Sequence, residues 1–164
     1  PLPELLEDLA AHRVDAFLSD ACDATHGDAA RRWRSVARLP VRFAGTPAVV
    51  ARAGRLPTGL ARTPLILPKA PSAVHKQVQT YLAEQGLNVH VAMEVPDAET
   101  ARRLAAAGRG LAPLDEITLS QGKSLVAAQG GPSSLRHELW LATAVGRLRP
   151  NPAAERLFKT FKVN

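Results

Sequence analysis

The chain has 164 residues, enough for one compact domain or two small lobes. Hydrophobic residues make up 46% and charged residues 22%, which is typical of a globular protein and excludes disorder, collagen and coiled coil. Only 4% of the residues are aromatic, which disfavours a base-stacking platform for single-stranded nucleic acid. The single cysteine, Cys22, excludes an internal disulfide and favours a reducing, cytoplasmic location. No apolar stretch approaches the ~18 residues of a membrane-spanning helix, so no membrane association is expected.

The net charge of +6 is unevenly distributed along the chain. Residues 1–28 carry seven acids and one base, residues 29–83 carry eight arginines and two lysines without an acid, and residues 84–164 carry ten bases and eight acids. We expect the basic segment to fold against the acidic first segment and to be largely neutralised by it. Attraction of an anionic ligand, or direct contact with DNA, remains an alternative.

Hydrophobic spacing and helix-capping residues predict alternating helices and strands. In the first part of the chain they predict a helix from Pro3 to near His12, a strand over 14–19, a polar loop over 20–28, two strand runs over 33–39 and 41–44 separated by Pro40, and an irregular segment over 47–64. In the second part they predict a strand over 64–68, a helix over 72–85 capped by Ser72 and stopped at Gly86, a strand over 89–95, a helix from Asp97 to Gly108, an apolar run over 111–114, strands over 124–128 and 138–143, and a helix from Asn151 with Leu157, Phe158 and Phe161 on its apolar face. This alternation predicts an α/β fold with a mostly parallel sheet.

No catalytic constellation is present in the sequence. Gly122-Lys123-Ser124 resembles the end of a phosphate-binding loop, but Ile117 stands where that motif needs glycine. The loop over 20–28 offers Asp20, Asp23 and Asp28 beside a thiol and an imidazole, a mixed set that makes only a weak cation site and is better explained as a solvated turn. We therefore expect neither enzymatic activity, nor a metal, nor a cofactor.

Three segments in order resemble the sensor domains of LysR-type transcriptional regulators. They are Leu2-Pro3-Glu4-Leu5-Leu6-Glu7-Asp8-Leu9 leading into the strand that ends at Asp20, the strand–helix–strand unit over 64–93, and Ala106-Ala107-Gly108-Arg109-Gly110-Leu111-Ala112-Pro113. The likeness covers residues 2–161. Within the family the chain looks most like the NhaR group, activators of sodium/proton antiporter genes, through residues 2–20, Gln85-Gly86-Leu87-Asn88-Val89 and Asn151-Pro152-Ala153.

The resemblance implies a fold like a type 2 periplasmic binding protein, with two Rossmann-like lobes joined by two crossover strands. Lobe I would comprise residues 1–45 and 134–164, and lobe II residues 46–133. The chain begins at Pro1 without an initiator methionine. We therefore expect it to be part of a longer protein, with lobe I truncated at its N-terminus and the DNA-binding winged helix-turn-helix outside this chain.

The same resemblance implies an effector-sensing domain of a cytoplasmic transcriptional activator. Its partners would be a small-molecule or ion effector, further copies in a homodimer or homotetramer, and DNA through the missing N-terminal domain only. The NhaR likeness adds sodium or pH as the signal. A soluble solute-binding protein of the same fold is the first alternative, and an α/β enzyme is the second.

Candidate effector-binding residues follow from a rule of open α/β sheets, in which ligands bind outside the carboxyl ends of strands and at helix N-termini. That rule and the resemblance together predict an inter-lobe cleft formed by Ser19, Asp20, Ala21, Ala44, Gly45, Thr46, Ser72, Ala73, Asp97 and Gly110. The helix N-terminus at Ser72 suits an anion, whereas Asp20 and Asp97 suit a cation, so the sign of the effector stays open. Ser72 and Asp97 are equally explained as helix caps.

Overall fold

The computed structural model describes residues 2–22, 31–145 and 151–163. Its helices are α1 (Leu2–Ala10), α2 (Pro47–Ala53), α3 (Ala73–Glu84), α4 (Ala98–Ala106), α5 (Glu116–Ser120) and α6 (Pro152–Thr160), with a 3-10 helix over Thr58–Arg62. Its strands are β1 (Ala16–Ser19), β2 (Arg31–Gly45), β3 (Leu65–Pro68), β4 (Val91–Val95), β5 (Ala112–Asp115), β6 (Val126–Ala127) and β7 (Arg136–Ala144). The chain divides into two compact units, unit 1 comprising residues 1–38 and 138–164 and unit 2 comprising residues 39–137.

Unit 1 is built on the antiparallel pair of β1 and β7, with β7 hydrogen-bonded in turn to β2. The Phe17 and Trp33 rings pack in a T-shaped arrangement, 5.6 Å between centroids with an interplanar angle of 85°. Leu9 of α1 is completely buried because the apolar face of α1 packs against these two rings and their neighbours. The unit therefore has a small core of its own, formed by Leu9, Phe17 and Ala142 with Leu2, Leu5, Leu6, Val14, Trp33 and Ala144 around them.

Helix α6 covers the basic start of β2 in unit 1. The guanidinium carbon of Arg32 lies 4.6 Å from the centre of the Phe158 ring, and that of Arg34 lies 5.8 Å from it. Arg32 also pairs with Glu155 of the same helix. Leu157, expected on the apolar face of α6, is instead 46% exposed, because Phe158 and the buried Ala154 carry the contacts.

The charge of the basic segment is compensated partly from the C-terminal part of the chain. Arg32 pairs with Glu155, and Arg38 pairs with Glu138 of β7. The basic segment was expected to be largely neutralised by the acidic first segment, but these two side chains pair with the C-terminal part of the chain instead. The reason is topological, because the sheet brings β7 and α6 against β2.

Unit 2 contains the parallel part of the fold. Strands β3 and β4 pair in parallel, and β5 joins β3 through a parallel bridge between Leu65 and Leu111. Strand β2 then runs antiparallel to β5, with Val41 opposite Asp115, and β6 pairs antiparallel with the end of β2. Antiparallel pairs thus outnumber parallel ones among the described strand pairs whose direction is given, so the prediction of a mostly parallel sheet was wrong.

The alternation of side chains along β3 divides the core of unit 2 into two clusters. Leu65 and Leu67 belong to the cluster that packs on α2 and α3, whereas Ile66 belongs to the cluster that packs on α4. The first cluster includes Val41, Phe43, Val49, Leu60, Val78, Tyr81, Leu82 and Leu111. The second includes Ala44, Val95, Ala101, Ala105, Ala112, Leu114 and Leu125. Helices therefore cover both sides of this part of the sheet, as the α/β class requires.

Two local predictions were also wrong. Strand β2 runs unbroken through Pro40, where the sequence suggested two strands. Its ladder with β5 begins only at Val41, so the missing N–H of Pro40 costs that ladder nothing. The segment expected to be irregular contains α2, with Thr46 as N-cap, proline at its first turn and Gly54 at its end.

Candidate functional site

The carboxyl ends of three strands in unit 2 lie at one edge of the sheet, and each is followed by a capped helix. Lys69, just beyond β3, donates its backbone N–H to the carbonyl of Val95 at the end of β4, over 2.8 Å. The parallel bridge between β3 and β5 brings Asp115, the last residue of β5, to the same edge. We call this edge, with Lys69, Ser72, Asp97 and Asp115, the carboxyl edge.

Ser72 holds the first turn of α3 in place. Its Oγ accepts a hydrogen bond from the backbone N–H of His75 at 3.4 Å, and its carbonyl accepts one from Lys76 at 3.0 Å. The His75 ring lies 2.7 Å from the carbonyl of Pro68 through Nδ1, which is therefore the protonated nitrogen because a carbonyl only accepts. The strand end and the helix start are thereby fixed to each other, which positions the Ser72 hydroxyl and the neighbouring backbone N–H groups.

Asp97 occupies the same position on α4, with both carboxylate oxygens engaged. One oxygen accepts from the backbone N–H of Thr100 at 2.7 Å, and the other accepts from the hydroxyl of Thr100 at 3.1 Å. The positive end of the helix dipole stabilises this negative charge in place. The carboxylate is thus occupied as a cap, and its attraction for a cationic ligand is reduced.

Asp115 is 6% exposed and combines a helix cap with a hydrogen bond to a histidine ring. It accepts from the backbone N–H of Thr118 at 2.9 Å and from the Thr118 hydroxyl at 3.0 Å, while Nδ1 of His137 lies 3.0 Å from its Oδ2. Burial opposes ionisation of the Asp115 carboxyl, but the hydrogen bonds from His137 and Thr118 outweigh it and hold its pKa below the usual value. Asp115 is therefore a buried, satisfied carboxylate at neutral pH.

The hydrogen-bond donors that remain free at the carboxyl edge favour an anion. The two carboxylates are engaged by Thr100, Thr118 and His137, whereas Lys69 is exposed and the N-terminus of α3 presents hydrogen-bond donors. The sequence left the charge of the effector open. The donors that are still free at this edge favour a negatively charged ligand.

A second group of predicted site residues lies at the opposite end of the same strands. Gly110 adjoins Pro64, the residue before β3, because Leu111 donates its N–H to the Pro64 carbonyl at 2.9 Å. A Cβ added to Gly45 would meet the Gly110 carbonyl at 3.1 Å. Since β3 rises about 3.3 Å per residue, this group is about 10 Å from the carboxyl edge along the strand. The structure thus brings Ala44, Gly45, Thr46 and Gly110 together, and Ser72, Ala73 and Asp97 together, but not the two sets.

Packing explains most of the second group. A Cβ on Gly110 would lie 2.3 Å from the Pro64 carbonyl, so only glycine fits there. The Thr46 hydroxyl accepts from the backbone N–H of Val49 at 3.4 Å as the N-cap of the short helix α2. Ala44 is fully buried on β2.

The remaining predicted residues belong to unit 1. Ser19 ends β1, and its Oγ accepts a hydrogen bond from the backbone N–H of Ala21 at 3.1 Å, while Asp20 is exposed. Asp23 and Asp28 lie outside the described residues. Within the part of the chain that the structure describes, no group of three or more His, Cys, Asp or Glu side chains could hold a metal ion.

Lys69, His75, Asp115 and His137 were not among the predicted site residues. The sequence carries a signal for Asp115, because an aspartate three residues before a threonine is typical of a helix start. It carries none for the pairing with His137, which depends on β5 and β7 meeting in space.

Comparison with known proteins identifies the fold. A model of the family described as "LysR substrate binding domain" matches residues 1–162. The structure is similar to the CcmR regulatory domain of Synechocystis (TM-score 0.73, 15% identity, 95% of this chain and 76% of that one) and to the HypT regulatory domain of Salmonella typhimurium (0.74, 16%, 96% and 75%). It is also similar to DarR of Vibrio fischeri solved with DNA (0.70, 15%, 97% and 54%), so the chain spans about half the length of that regulator. A search by sequence among curated proteins finds no significant match.

No helix among the described residues is long and apolar enough to cross a membrane. The chain instead has the α/β fold of type 2 periplasmic binding proteins, as the sequence predicted, with capped helices following the parallel strands of unit 2. Together with the family match over residues 1–162, this places the chain in the LysR substrate-binding domain family, the effector-binding domains of LysR-type transcriptional regulators.

Proposed function

We propose that this chain senses a small anionic effector through the carboxyl edge of unit 2 and so controls a LysR-type transcriptional activator. The observation that carries the proposal is that the carboxylates at that edge are already hydrogen-bonded, whereas its donors are free. Asp97 and Asp115 have their oxygens engaged, whereas the Ser72 hydroxyl, the N-terminus of α3 and exposed Lys69 are placed to donate. A carboxylate or a small inorganic anion is the ligand that such donors prefer.

Solved relatives of similar fold support small anions as effectors. The CcmR regulatory domain is solved with 2-PG, the QuiR effector-binding domain with shikimate, and the HypT regulatory domain with a bromide ion. The likeness to each is 15% identity or less, so it supports the class of ligand by analogy only.

The predicted residues that lie elsewhere remain separate proposals. Ser19, Asp20 and Ala21 in unit 1 and the group around Thr46 and Gly110 in unit 2 are proposed as effector contacts on the resemblance alone. In the full-length protein, DNA would be bound outside this chain, and homodimers or homotetramers would assemble in the cytoplasm.

The NhaR resemblance proposes a different signal, sodium or pH, with a sodium/proton antiporter gene as the target. A titratable pair favours the pH version, because Asp115 and His137 lie within 3.0 Å of each other. A sodium signal predicts stabilisation by sodium chloride over potassium chloride at equal ionic strength, whereas the anion proposal predicts that the two salts act alike.

The alternatives are a solute-binding protein of the same fold and, less favoured, an α/β enzyme. Genomic DNA fragments captured by the full-length gene product, with and without the anion, discriminate among them. A regulator selects a small set of sites and changes its selection with the anion, whereas the alternatives select none.

The site itself is tested by titrating the chain with bromide, phosphate, acetate and benzoate, following thermal unfolding and isothermal heat. Ser72→Asp keeps a good N-cap but adds a negative charge, so it should weaken anion binding at least tenfold with little loss of stability. Asp97→Asn also keeps a cap and should strengthen anion binding.

The control is Ser124→Asp, at an exposed serine near β6. This variant adds the same charge away from the carboxyl edge and should bind anions as the parent does. Equal weakening by Ser72→Asp and Ser124→Asp contradicts the proposed site.

A further inference from the structure

A cavity in unit 2, separate from the carboxyl edge, runs along the side of α3 and begins one turn beyond Ser72. Its volume is about 250 Å³, close to the lower end of ligand pockets. It is lined by Lys76, Gln77, Thr80, Tyr81, Glu84, Ser134 and Leu135. None of these residues belongs to the carboxyl edge, so the cavity raises the question of a separate ligand.

The two walls of this cavity are fixed to each other. The Gln77 side-chain amide donates to the carbonyl of Arg136 at 2.8 Å and accepts from its backbone N–H at 2.9 Å. The Leu135 carbonyl is in turn hydrogen-bonded to the N–H of Val41 at 3.1 Å, which ties the second wall to β2. The cavity is therefore preformed, and a ligand would not have to order it.

Tyr81 brings a phenol hydroxyl to the cavity. The residue is 9% exposed, and its ring lies 6.4 Å from that of Phe43 in the core. Its hydroxyl forms no hydrogen bond with any described residue and is not fully buried, so it is accessible from the cavity. Burial raises the pKa of the Tyr81 phenol, so the hydroxyl stays protonated and available as a donor.

Lys76 and Glu84 place opposite charges at the two ends of the cavity. Both side chains are exposed, and neither forms an ion pair with a described residue. Eight residues of helix separate them by about 12 Å along the axis. A lysine near the N-terminus and a glutamate at the C-terminus of α3 both oppose the helix dipole, so helix stability does not explain them.

We propose that this cavity binds an extended zwitterion of the size of a tripeptide, with its carboxylate toward Lys76 and its ammonium toward Glu84. The helix dipole favours that orientation, since it is positive at the Lys76 end and negative at the Glu84 end. Three extended residues span at most about 11 Å, which matches the separation of the two charges. Polar groups of the ligand backbone would then meet the hydroxyls of Tyr81, Thr80 and Ser134 in the middle of the cavity.

Triglycine is the probe, titrated into the 164-residue chain and followed by isothermal heat and by the NMR signals of Tyr81, the chain's only tyrosine. Saturable binding that shifts these signals is expected. Lys76→Gln and Glu84→Gln should each weaken it at least tenfold, and Tyr81→Phe at least threefold. Triglycine blocked by N-acetylation or C-amidation should lose affinity to a similar extent. Lys123→Gln, at an exposed lysine outside both the cavity and the carboxyl edge, should bind triglycine as the parent does.

Two results would overturn the proposal. One is the absence of saturable binding to the folded parent chain. The other is binding that Lys76→Gln, Glu84→Gln and Tyr81→Phe leave unchanged, because triglycine would then be held elsewhere. The Asp97→Asn variant separates this proposal from the anion site, since it should strengthen anion binding at the carboxyl edge and leave triglycine binding intact.

Discussion

Nδ1 of His137 lies 3.0 Å from Oδ2 of Asp115, and this pair joins the first residues of β7 to the last residue of β5. Because the pKa of Asp115 is lower in the folded chain than in the unfolded one, its ionisation stabilises the fold above pH ~4, and that contribution is lost as pH falls through the folded pKa. His137→Ala removes one cause of the lowered pKa. We expect the acid-unfolding midpoint to rise and stability at pH 7 to fall by about 1–3 kcal/mol.

Circular dichroism during acid titration measures that shift. His90→Ala is the matched control, because His90 is exposed and its side chain has no described partner. Coinciding acid transitions for His137→Ala and the parent would contradict the role given to the pair.

The two hydrogen bonds from Gln77 to the backbone of Arg136 predict a stability effect that is absent from its helical neighbour. Gln77→Ala leaves a backbone N–H and a carbonyl without their partner and should cost about 1–3 kcal/mol. Gln79→Ala, an exposed site on the same helix, should change stability by less than about 0.5 kcal/mol. Urea unfolding of both variants tests this prediction. Equal midpoints would show that water replaces the lost hydrogen bonds without a loss of stability.

Two glycines should respond differently to alanine. A Cβ on Gly110 meets the Pro64 carbonyl at 2.3 Å, so the backbone must move and the adjoining hydrogen bonds of β3 must break, at a cost of about 3 kcal/mol or more. Gly86 has φ of 62° at the end of α3 and nothing near a new Cβ, so Gly86→Ala should cost only about 1–2 kcal/mol of backbone strain. Thermal unfolding of both variants tests the order, and a larger loss for Gly86→Ala would be the contrary result.

The stacking of two arginines on Phe158 predicts a measurable contribution from the ring itself. Phe158→Leu keeps an apolar side chain but removes the ring face, so stability should fall by about 0.5–1 kcal/mol beyond the change in buried area. Leu157→Ala, at a side chain 46% exposed, is the control and should be nearly neutral. Urea unfolding of both variants makes the comparison. A larger effect for Leu157→Ala would mean that Leu157 lies on the apolar face of α6, as its sequence first suggested.

Local chemistry predicted much of the fold. Ser72, Asp97 and Asn151 cap their helices as expected, because each side chain accepts from a backbone N–H within the first turn. Gly86 follows α3 with a positive φ, as a helix stop should. The signal for α2 was also present, in Thr46-Pro47 before an apolar run ending at Gly54, but was outweighed by the prolines and glycines around it.

Features that depend on partners distant in sequence could not be predicted. The direction of β5 relative to its neighbours is set by strand pairing. Nothing in the apolar run over 111–114 shows that this segment lies parallel to β3 and antiparallel to β2. For the same reason the predicted site residues fell into two sets at opposite ends of the sheet. The strand-end rule and the resemblance together selected Ser72, Asp97 and Gly110, but the role of Gly110 is close packing against Pro64.

The contact between Gln77 and Arg136 uses one side-chain amide as both donor and acceptor toward the backbone of one residue. Such a pair has a single register, because sliding the helix along the chain segment by a fraction of a residue breaks both bonds together. Movement of α3 along this segment therefore has to break both hydrogen bonds at once. A ligand that moves this helix must supply the free energy of both bonds through its greater affinity for the moved position.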